Sequence, residues 1–192
     1  MDAFFETLAS RRSIRKFQDR DVPETELYRI LEAVRWSPSW ANTQCWEIVV
    51  VRDPEIKKSL QGTMHPKGNP AFKAVYNAPV VLAVIGKLEA SGYYKEKVTT
   101  MLGDWYQFDL GIAVQSLCLS AWALGLGTVI VGLYDIREAS KVLGVSGGYQ
   151  LVSLIPMGYP DQTPKPPKRK EVADFVHLNR FGNKEGNFDG SI

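Results

Sequence analysis

Apolar residues recur every three or four positions in two stretches near the start of the chain, as they do on one face of an amphipathic helix. The recurring positions are Phe4, Phe5 and Leu8, followed by Leu27, Ile30, Leu31 and Val34. Asp2 is a residue type that caps helices, and Pro23 fits the start of one. A helix ends where Pro38 follows Ser37, because the residue before proline avoids the helical conformation. The pattern predicts two helices before residue 38.

Short apolar stretches without helical spacing predict four β-strands. They are residues 47–51, 79–85, 128–131 and 149–156. The second reads PVVLAVI, and an uninterrupted apolar run is typical of a strand that is covered on both faces. Between the strands, the sequence predicts short helices at residues 54–62 and 136–143. It also predicts a loop at residues 62–70, which contain two glycines and two prolines.

The most informative predicted helix runs from about residue 104 to residue 124. Apolar side chains occupy most of its sides, which is typical of a helix inside a protein rather than on its surface. Helices and strands alternate along the chain without an internal repeat, and a chain of 192 residues suits one domain. We therefore expect a single domain over residues 1–181, with a mixed sheet around a buried helix, and a flexible tail at residues 182–192.

The composition of the chain argues against several kinds of function. A net charge of +2 at pH 7 makes nucleic-acid binding a remote alternative, and no stretch is long and apolar enough to span a membrane. The N-terminus lacks a signal-peptide pattern and two cysteines form no framework, so we expect reduced thiols and a cytoplasmic location. Two isolated histidines make no metal motif. We therefore expect a bound organic cofactor to carry any chemistry.

Two basic segments lie near opposite ends of the chain. The first contains Arg11, Arg12, Ser13 and Arg15, and the second contains Lys168 and Arg169 after the proline-rich residues 164–167. Arginine grips phosphate through paired hydrogen bonds, so either segment suits a phosphate site. The alternative is a solvated basic surface, which in the first segment could bind nucleic acid or acidic lipid.

Two further segments suit a planar ligand. Residues 37–46 (SPSWANTQCW) carry amide side chains that both donate and accept hydrogen bonds, as the pyrimidine edge of a flavin requires. In residues 125–135 (GLGTVIVGLYD) the first glycines precede the strand, which argues against a Rossmann dinucleotide site. Gly132, at the end of the strand, lets a flat ligand approach the backbone. The alternatives are an ordinary loop in the first segment, and a helix cap and a turn in the second.

In their order and spacing, the four segments together resemble the motifs of the nitroreductase family. RRSIRKF at residues 11–17 is similar to the opening motif of that family, and PSWANTQCW at residues 38–46 is similar to its P-S-x-x-N-x-Q-P-W motif. Residues 109–135 resemble its central helix, G-L-G-T turn and G-x-[FY]-D strand end, and PPKRK resembles its C-terminal cations. The resemblance spans residues 1–181, and Cys45 stands where proline is usual.

The resemblance implies an α+β fold, a three-layer α-β-α sandwich with a mixed sheet, in which two subunits interlock as a homodimer with FMN at their interface. It implies phosphate contacts from the basic residues Arg11, Arg12, Arg15, Lys168 and Arg169, with Ser13 at the ribityl chain or the ring edge. The second subunit is expected to supply Pro38, Ser39, Asn42 and Gln44.

The flavin ring has its own expected neighbours under this resemblance. The backbone of Val131, Gly132 and Leu133 is expected beside the isoalloxazine ring, with an amide near Gly132 donating to N5. Trp40 is expected to contact the substrate, because it is bulkier than the residue usual at that position. Residues 174–181 are expected to cross to the partner subunit.

The activity that the resemblance implies is a ping-pong reaction between NAD(P)H and small acceptors such as nitroaromatics, quinones or flavins. FMN carries this chemistry, so no catalytic side chain and no metal are expected. One alternative is a dedicated flavin-dependent reductase or dehalogenase for a single substrate, which Trp40 and the short region of residues 86–103 motivate. The other is a flavin-binding regulatory or storage module without significant turnover.

Overall fold

Helices enclose a central β-sheet in the computed structural model, which describes residues 2–184. The helices are α1 (Ala3–Ser10), α2 (Glu24–Arg35), α3 (Pro54–Gly62), α4 (Phe72–Asn77), α5 (Tyr106–Ala123), α6 (Ile136–Leu143) and α7 (Val172–Phe175). The strands are β1 (Trp46–Val51), β2 (Val80–Lys87), β3 (Tyr93–Tyr94), β4 (Lys97–Val98), β5 (Gly127–Thr128) and β6 (Tyr149–Gly158). This order confirms the predicted alternation of helices and strands.

Aspartate side chains mark the first turns of α1, α3 and α6. Asp2 accepts a hydrogen bond from Phe4 N, as its position in the sequence predicts. Asp53 accepts from the first amides of α3, and Asp135 accepts from the first amides of α6. These bonds satisfy amides that have no partner within the helix, so they fix where each helix begins.

The main sheet has the order β1-β2-β6-β5, and its strand pairs are antiparallel. Trp46 lies opposite Gly86, and Val80 lies opposite Met157. An isolated parallel bridge joins Ser13 to Thr128 at the outer strand β5. This bridge makes the sheet mixed, as predicted, and it places the first basic segment at the edge of the sheet.

The strand β2 is covered on both faces, as its uninterrupted apolar run predicts. Val80, Leu82 and Val84 pack in a core formed with residues of α2 and α5. The alternate residues of β2 pack in a second core with residues of α3, α4 and α6. Two cores on the two faces of one sheet confirm the three-layer α-β-α sandwich.

The central helix α5 is two residues shorter at its start than the sequence predicted and ends at Ala123. Its buried residues are Asp109, Leu110, Ala113, Val114, Leu117, Cys118 and Ala121. Seven of the eighteen residues of α5 are buried, whereas Phe108 is 60% exposed, so the prediction of a helix inside the protein is confirmed for one side of α5 only. One side chain in this set, Asp109, carries a charge into the core.

The predicted strand over residues 128–131 is too long, because regular pairing stops at Thr128. Pro156 lies opposite this region in β6, and proline has no N–H to donate to the ladder. Val129 N still reaches Pro156 O, and Val131 pairs again with Leu154 through bonds of 2.9 and 3.0 Å. The sequence also gave no prediction of α4 or of the hairpin β3–β4.

Three further findings concern the expected tail, membrane-spanning helices and the two cysteines. Lys184 Nζ donates to Asp174 O at 2.7 Å, so this residue of the expected flexible tail contacts α7, while residues 185–192 lie outside the described part. Within residues 2–184, no helix has the length and apolar character to cross a membrane. Cys45 and Cys118 are both buried and unpaired, which agrees with the expected reduced thiols.

Candidate functional site

The two basic segments meet in one cleft of about 240 Å³. Its lining residues are Arg11, Arg12, Ser13, Arg15, Pro164, Lys165, Pro167 and Arg169. Backbone hydrogen bonds bring the segments together, because Gln18 N donates to Tyr159 O at 2.9 Å and Asp161 N donates to Lys16 O at 3.0 Å. The chain that leaves β6 therefore runs beside residues 16–18 and carries the second basic segment to the first.

The cations of this basic cleft lack acidic partners. Among residues 2–184, no ion pair involves Arg11, Arg15, Lys165 or Arg169. The Nε atom of Arg15 is buried and has no hydrogen-bond partner among the described residues. A buried donor without a partner is costly, and a phosphate oxygen would satisfy it. The charge and the open donors of the cleft therefore fit an anionic group.

Two predicted phosphate ligands differ from the rest. Arg12 lines the cleft, but its Nη1 donates to Ala9 O at 2.6 Å and to Arg11 O at 2.8 Å, so it also holds the end of α1. Lys168 is exposed and is absent from the lining, which contains Lys165 instead. Lys165 and Lys168 belong to the same stretch of prolines and cations, and no pattern in the sequence distinguishes the one that lines the cleft.

Close packing at Gly127 positions the first basic segment. A Cβ atom at this glycine would overlap Ile14 Cγ1 and lie 2.6 Å from Ile14 Cβ. Ile14 N donates to Thr128 O at 2.9 Å, and Ile14 is fully buried. Residues 13 and 14 are therefore anchored to β5, which leaves Ser13 and Arg15 on the side of the cleft.

The segment after Val131 offers open backbone donors. Within the described residues, the N–H groups of Gly132 and Leu133 donate to no protein acceptor. Nothing lies within 4 Å of a Cβ atom built at Gly132, so its surface is free. Asn69, which is 8% exposed, donates from Nδ2 to Leu133 O at 2.9 Å and holds the segment in place. No motif points to Asn69, because it lies in the predicted loop at residues 62–70.

The residues from Pro38 to Gln44 form a strained turn outside the lining of the basic cleft. Ala41, Asn42 and Gln44 have φ values of 45°, 55° and 47°, in the left-handed region that side chains avoid. Ser39 Oγ accepts from Gln44 N at 2.9 Å, and Gln44 Nε2 donates to Asn42 Oδ1 at 3.2 Å. Strain of this kind in non-glycine residues is concentrated at functional sites. That Pro38, Ser39, Asn42 and Gln44 reach the flavin from the second subunit stays a prediction.

The carboxylate of Asp109 is the polar centre that sequence reasoning missed. It is 1% exposed and accepts hydrogen bonds from Trp40 N at 3.0 Å and from Ser91 Oγ at 2.6 Å. Cys45 Sγ lies 3.7 Å from Oδ2 of the same carboxylate. Burial, with the negative charge of Asp109 beside it, raises the pKa of Cys45 to about 11. Asp109 is the one charged residue of α5, and this is the signal that marks the site in the sequence.

Comparison with known proteins gives one consistent result. The model of the nitroreductase family matches residues 8–159. A protein of Methanothermobacter thermautotrophicus named as an NADH dehydrogenase/NAD(P)H nitroreductase is 36% identical over 182 residues, covering 92% of this chain and 86% of the relative. The FMN reductase [NAD(P)H] of Bacillus subtilis is 29% identical, over 96% of this chain and 77% of the relative. An FMN-dependent nitroreductase structure from Clostridium difficile superposes with a TM-score of 0.76 and 28% identity, over 92% of this chain and 99% of that chain.

Proposed function

The chain belongs to the nitroreductase family, and we propose that it is an FMN-dependent oxidoreductase that uses NAD(P)H to reduce small acceptors such as nitroaromatics, quinones or flavins. The observation that carries the proposal is the basic cleft, in which Arg11, Arg15 and Arg169 lack acidic partners and Arg15 Nε is a buried donor without an acceptor. This arrangement suits the phosphate of FMN. When bound, FMN supplies the hydride-accepting and electron-donating chemistry in two half-reactions.

The residues of this chain bind and orient the cofactor. Arg11, Arg15, Lys165 and Arg169 hold the phosphate, and Ser13 hydrogen-bonds the ribityl chain or the ring edge. The open N–H groups of Gly132 and Leu133 donate to the flavin ring, one of them to N5. Because these donors belong to a backbone held by Asn69 and by the Val131–Leu154 pair, they are already oriented before the cofactor binds. Orientation of the flavin is the catalytic contribution of the protein.

We infer that the active form is a homodimer, because the turn at residues 38–44 lies outside the basic cleft of its own chain. Its Ser39, Asn42 and Gln44 are then available to the flavin of a second copy. Phe108 on α5 is 60% exposed, and the C-terminal residues Val172, Phe175 and Phe181 are 52%, 59% and 95% exposed. Large exposed apolar side chains of this kind suit burial against a partner.

Spectroscopy of the purified protein tests the proposal. We expect a yellow protein that releases FMN, and no FAD, on denaturation. Under anaerobic conditions NADH or NADPH should bleach the flavin, and menadione or nitrofurazone should restore its colour over many cycles. A colourless protein that FMN cannot reconstitute would contradict the proposal. Bleaching without repeated reoxidation would favour a storage module, and turnover of a single acceptor would favour a dedicated enzyme.

A further inference from the structure

Three separate parts of the chain meet at the carboxylate of Asp109, on the first turns of α5. Trp40 N lies 3.0 Å from Oδ1 and 3.2 Å from Oδ2, and Ser91 Oγ lies 2.6 Å from Oδ2. Cys45 Sγ approaches Oδ2 to 3.7 Å. The turn that contains Trp40 and the region that contains Ser91 therefore share one acceptor oxygen. We call Asp109, Trp40, Cys45 and Ser91 the Asp109 network.

Ser91 belongs to residues 88–105, which form a small lobe that contains the hairpin β3–β4. Bonds inside the lobe make it one unit, since Thr99 N donates to Gly92 O at 2.8 Å and Glu89 N donates to Asp104 Oδ2 at 2.7 Å. Ser91 joins the base of the lobe to α5 because its hydroxyl donates to Asp109, and its carbonyl accepts from Trp105 N at 3.0 Å within the lobe. Ser91 is therefore the contact that holds the lobe against Asp109, while Leu88 N, which donates to Gly148 O at 2.9 Å, ties the start of the lobe to the segment before β6.

The lobe exposes three apolar side chains beside the charged residues 95–97 of its hairpin. Tyr94 is 64% exposed, Leu102 is 80% exposed and the side chain of Met101 is fully exposed. Trp40, at the other end of the network, is a large half-buried aromatic residue. Two apolar elements that share one anchor can together form walls for a small aromatic acceptor.

Stability alone does not explain a carboxylate at this position. Burial of a charge is costly, and among residues 2–184 no Lys or Arg forms an ion pair with Asp109. An apolar residue in the same core would avoid this cost. The carboxylate instead fixes the relative position of two distant segments, because a backbone amide of one and a hydroxyl of the other both donate to it on a single rigid helix.

We propose that Asp109 is a positioning residue that sets acceptor selectivity by holding Trp40 and the lobe at a fixed separation. This inference rests on the proposed function for the identity of the acceptors. The strained turn explains why an anchor is needed there. Ala41 and Asn42, directly after Trp40, have left-handed backbones, and such a turn persists only when its surroundings hold it.

The first experiment tests the linkage without any flavin. Hydrogen–deuterium exchange is compared in the full-length apo-protein for wild type, Ser91→Ala, Asp109→Asn and the control Ser120→Ala. Ser120 lies on the same helix and its hydroxyl bonds only within that helix, to Leu117 O. We expect exchange in Asp109→Asn to rise about tenfold in residues 38–45 and in the lobe, with the sheet unchanged. We expect Ser91→Ala to raise exchange in the lobe, and the control to match wild type.

The second experiment measures selectivity in the FMN-loaded enzyme, as the ratio of kcat/KM for a large acceptor, free FMN, to that for a small one, benzoquinone. We expect Ser91→Ala to change this ratio by about threefold or more through KM, while the dissociation constant of bound FMN stays within about twofold. Because the two residues act through one bond, the double variant Ser91→Ala/Asp109→Asn should change the ratio no more than Asp109→Asn alone.

Two outcomes would overturn the inference. One is faster exchange spread evenly over the whole chain in Asp109→Asn, which would mean that Asp109 acts on global stability. The other is an unchanged selectivity ratio in Ser91→Ala, a substitution that removes the hydrogen bond to Asp109 without removing a charge. A wild-type protein that binds no FMN would defeat the proposed function instead. The exchange experiment would then still decide whether Asp109 links the turn and the lobe.

Discussion

The basic cleft and the Asp109 network are both polar sites, and they differ in how their hydrogen-bonding groups are satisfied. The cleft gathers Arg11, Arg15 and Arg169 without an acidic partner and leaves Arg15 Nε without an acceptor. In the network, the carboxylate of Asp109 receives three donors from two segments of the chain. The cleft is incomplete in the protein alone, whereas the network is complete.

This difference separates binding from positioning. Donors that are held in place but unsatisfied lower the stability of the empty protein, and the ligand that completes them recovers that free energy as affinity. A satisfied buried network offers nothing to a ligand, but it fixes the segments that donate to it. Substitutions in the cleft should therefore change cofactor affinity, and substitutions in the network should change selectivity, local order and pH dependence.

The largest effect is expected in the basic cleft. Arg15→Ala removes the guanidinium whose Nε is buried, and with it a charge-assisted hydrogen bond to phosphate of about 1.5–3 kcal/mol. The dissociation constant of FMN should rise about tenfold to a hundredfold at fixed salt concentration. Fluorescence titration of the apo-protein with FMN measures it.

The matched control for that substitution is Lys73→Ala, which removes an exposed cation of α4 outside the lining of the cleft. Its FMN affinity should equal that of wild type. Equal losses in Lys73→Ala and Arg15→Ala would show that general positive charge attracts FMN. The distinction between the cleft and the rest of the surface would then fail.

Patterns within single elements were predictable from the sequence, and pairings between distant elements were not. The apolar run in β2 predicted a strand covered on both faces. Successive side chains of a strand point to opposite faces, so an apolar residue at every position indicates that both faces are buried. The extent of β5 was predicted wrongly, because it depends on Pro156 in another strand. No local pattern at residues 128–131 contains that information.

The candidate site shows the same division. The motifs around Arg11 and Gly132 pointed to binding segments, since charge and glycine placement are visible locally. The presence of Lys165 rather than Lys168 in the lining of the cleft depends on how the second basic segment lies beside the first, which only the fold shows. The roles of Asp109 and Asn69 depend on partners far along the chain, at Ser91 and Leu133, and those partners are known only from the fold.

A pair of glycine substitutions sharpens the comparison between structure and binding. Gly127→Ala places a Cβ atom against buried Ile14, and overpacking of this kind costs about 1–3 kcal/mol of stability. Gly132→Ala meets no atom within 4 Å in the protein, so the stability of the apo-protein should change little. Urea denaturation of both apo-proteins measures these differences.

The same two variants distinguish a residue expected to contact the flavin, Gly132, from one that only positions a contacting segment, Gly127. Gly132→Ala should lower FMN affinity although it leaves the apo-protein stable, because the added methyl group meets the flavin ring beside the open amides. Gly127→Ala should lower both quantities, since it displaces residues 13 and 14 from β5, to which Ser13 is bridged. Wild-type affinity in Gly132→Ala would remove residues 131–133 from the ring contacts.

The smallest effect is expected from Cys45, in the Asp109 network, and it depends on pH. Burial, and then the charge of Asp109, raise the pKa of this thiol to about 11 in the folded protein, above the ordinary value near 8.5. Ionisation therefore favours the unfolded chain, so the contribution to stability is complete below the ordinary value and is lost as the pH rises toward 11. Between pH 7 and pH 9.5, wild type should lose about 1 kcal/mol more unfolding free energy than Cys45→Ala. Urea denaturation at both pH values measures the difference.

In Asp109→Asn the extra alkaline loss should shrink without vanishing, because the burial of Cys45 remains when the charge beside it is removed. The same alkaline loss in wild type and Cys45→Ala would show that the thiol does not titrate inside a closed network.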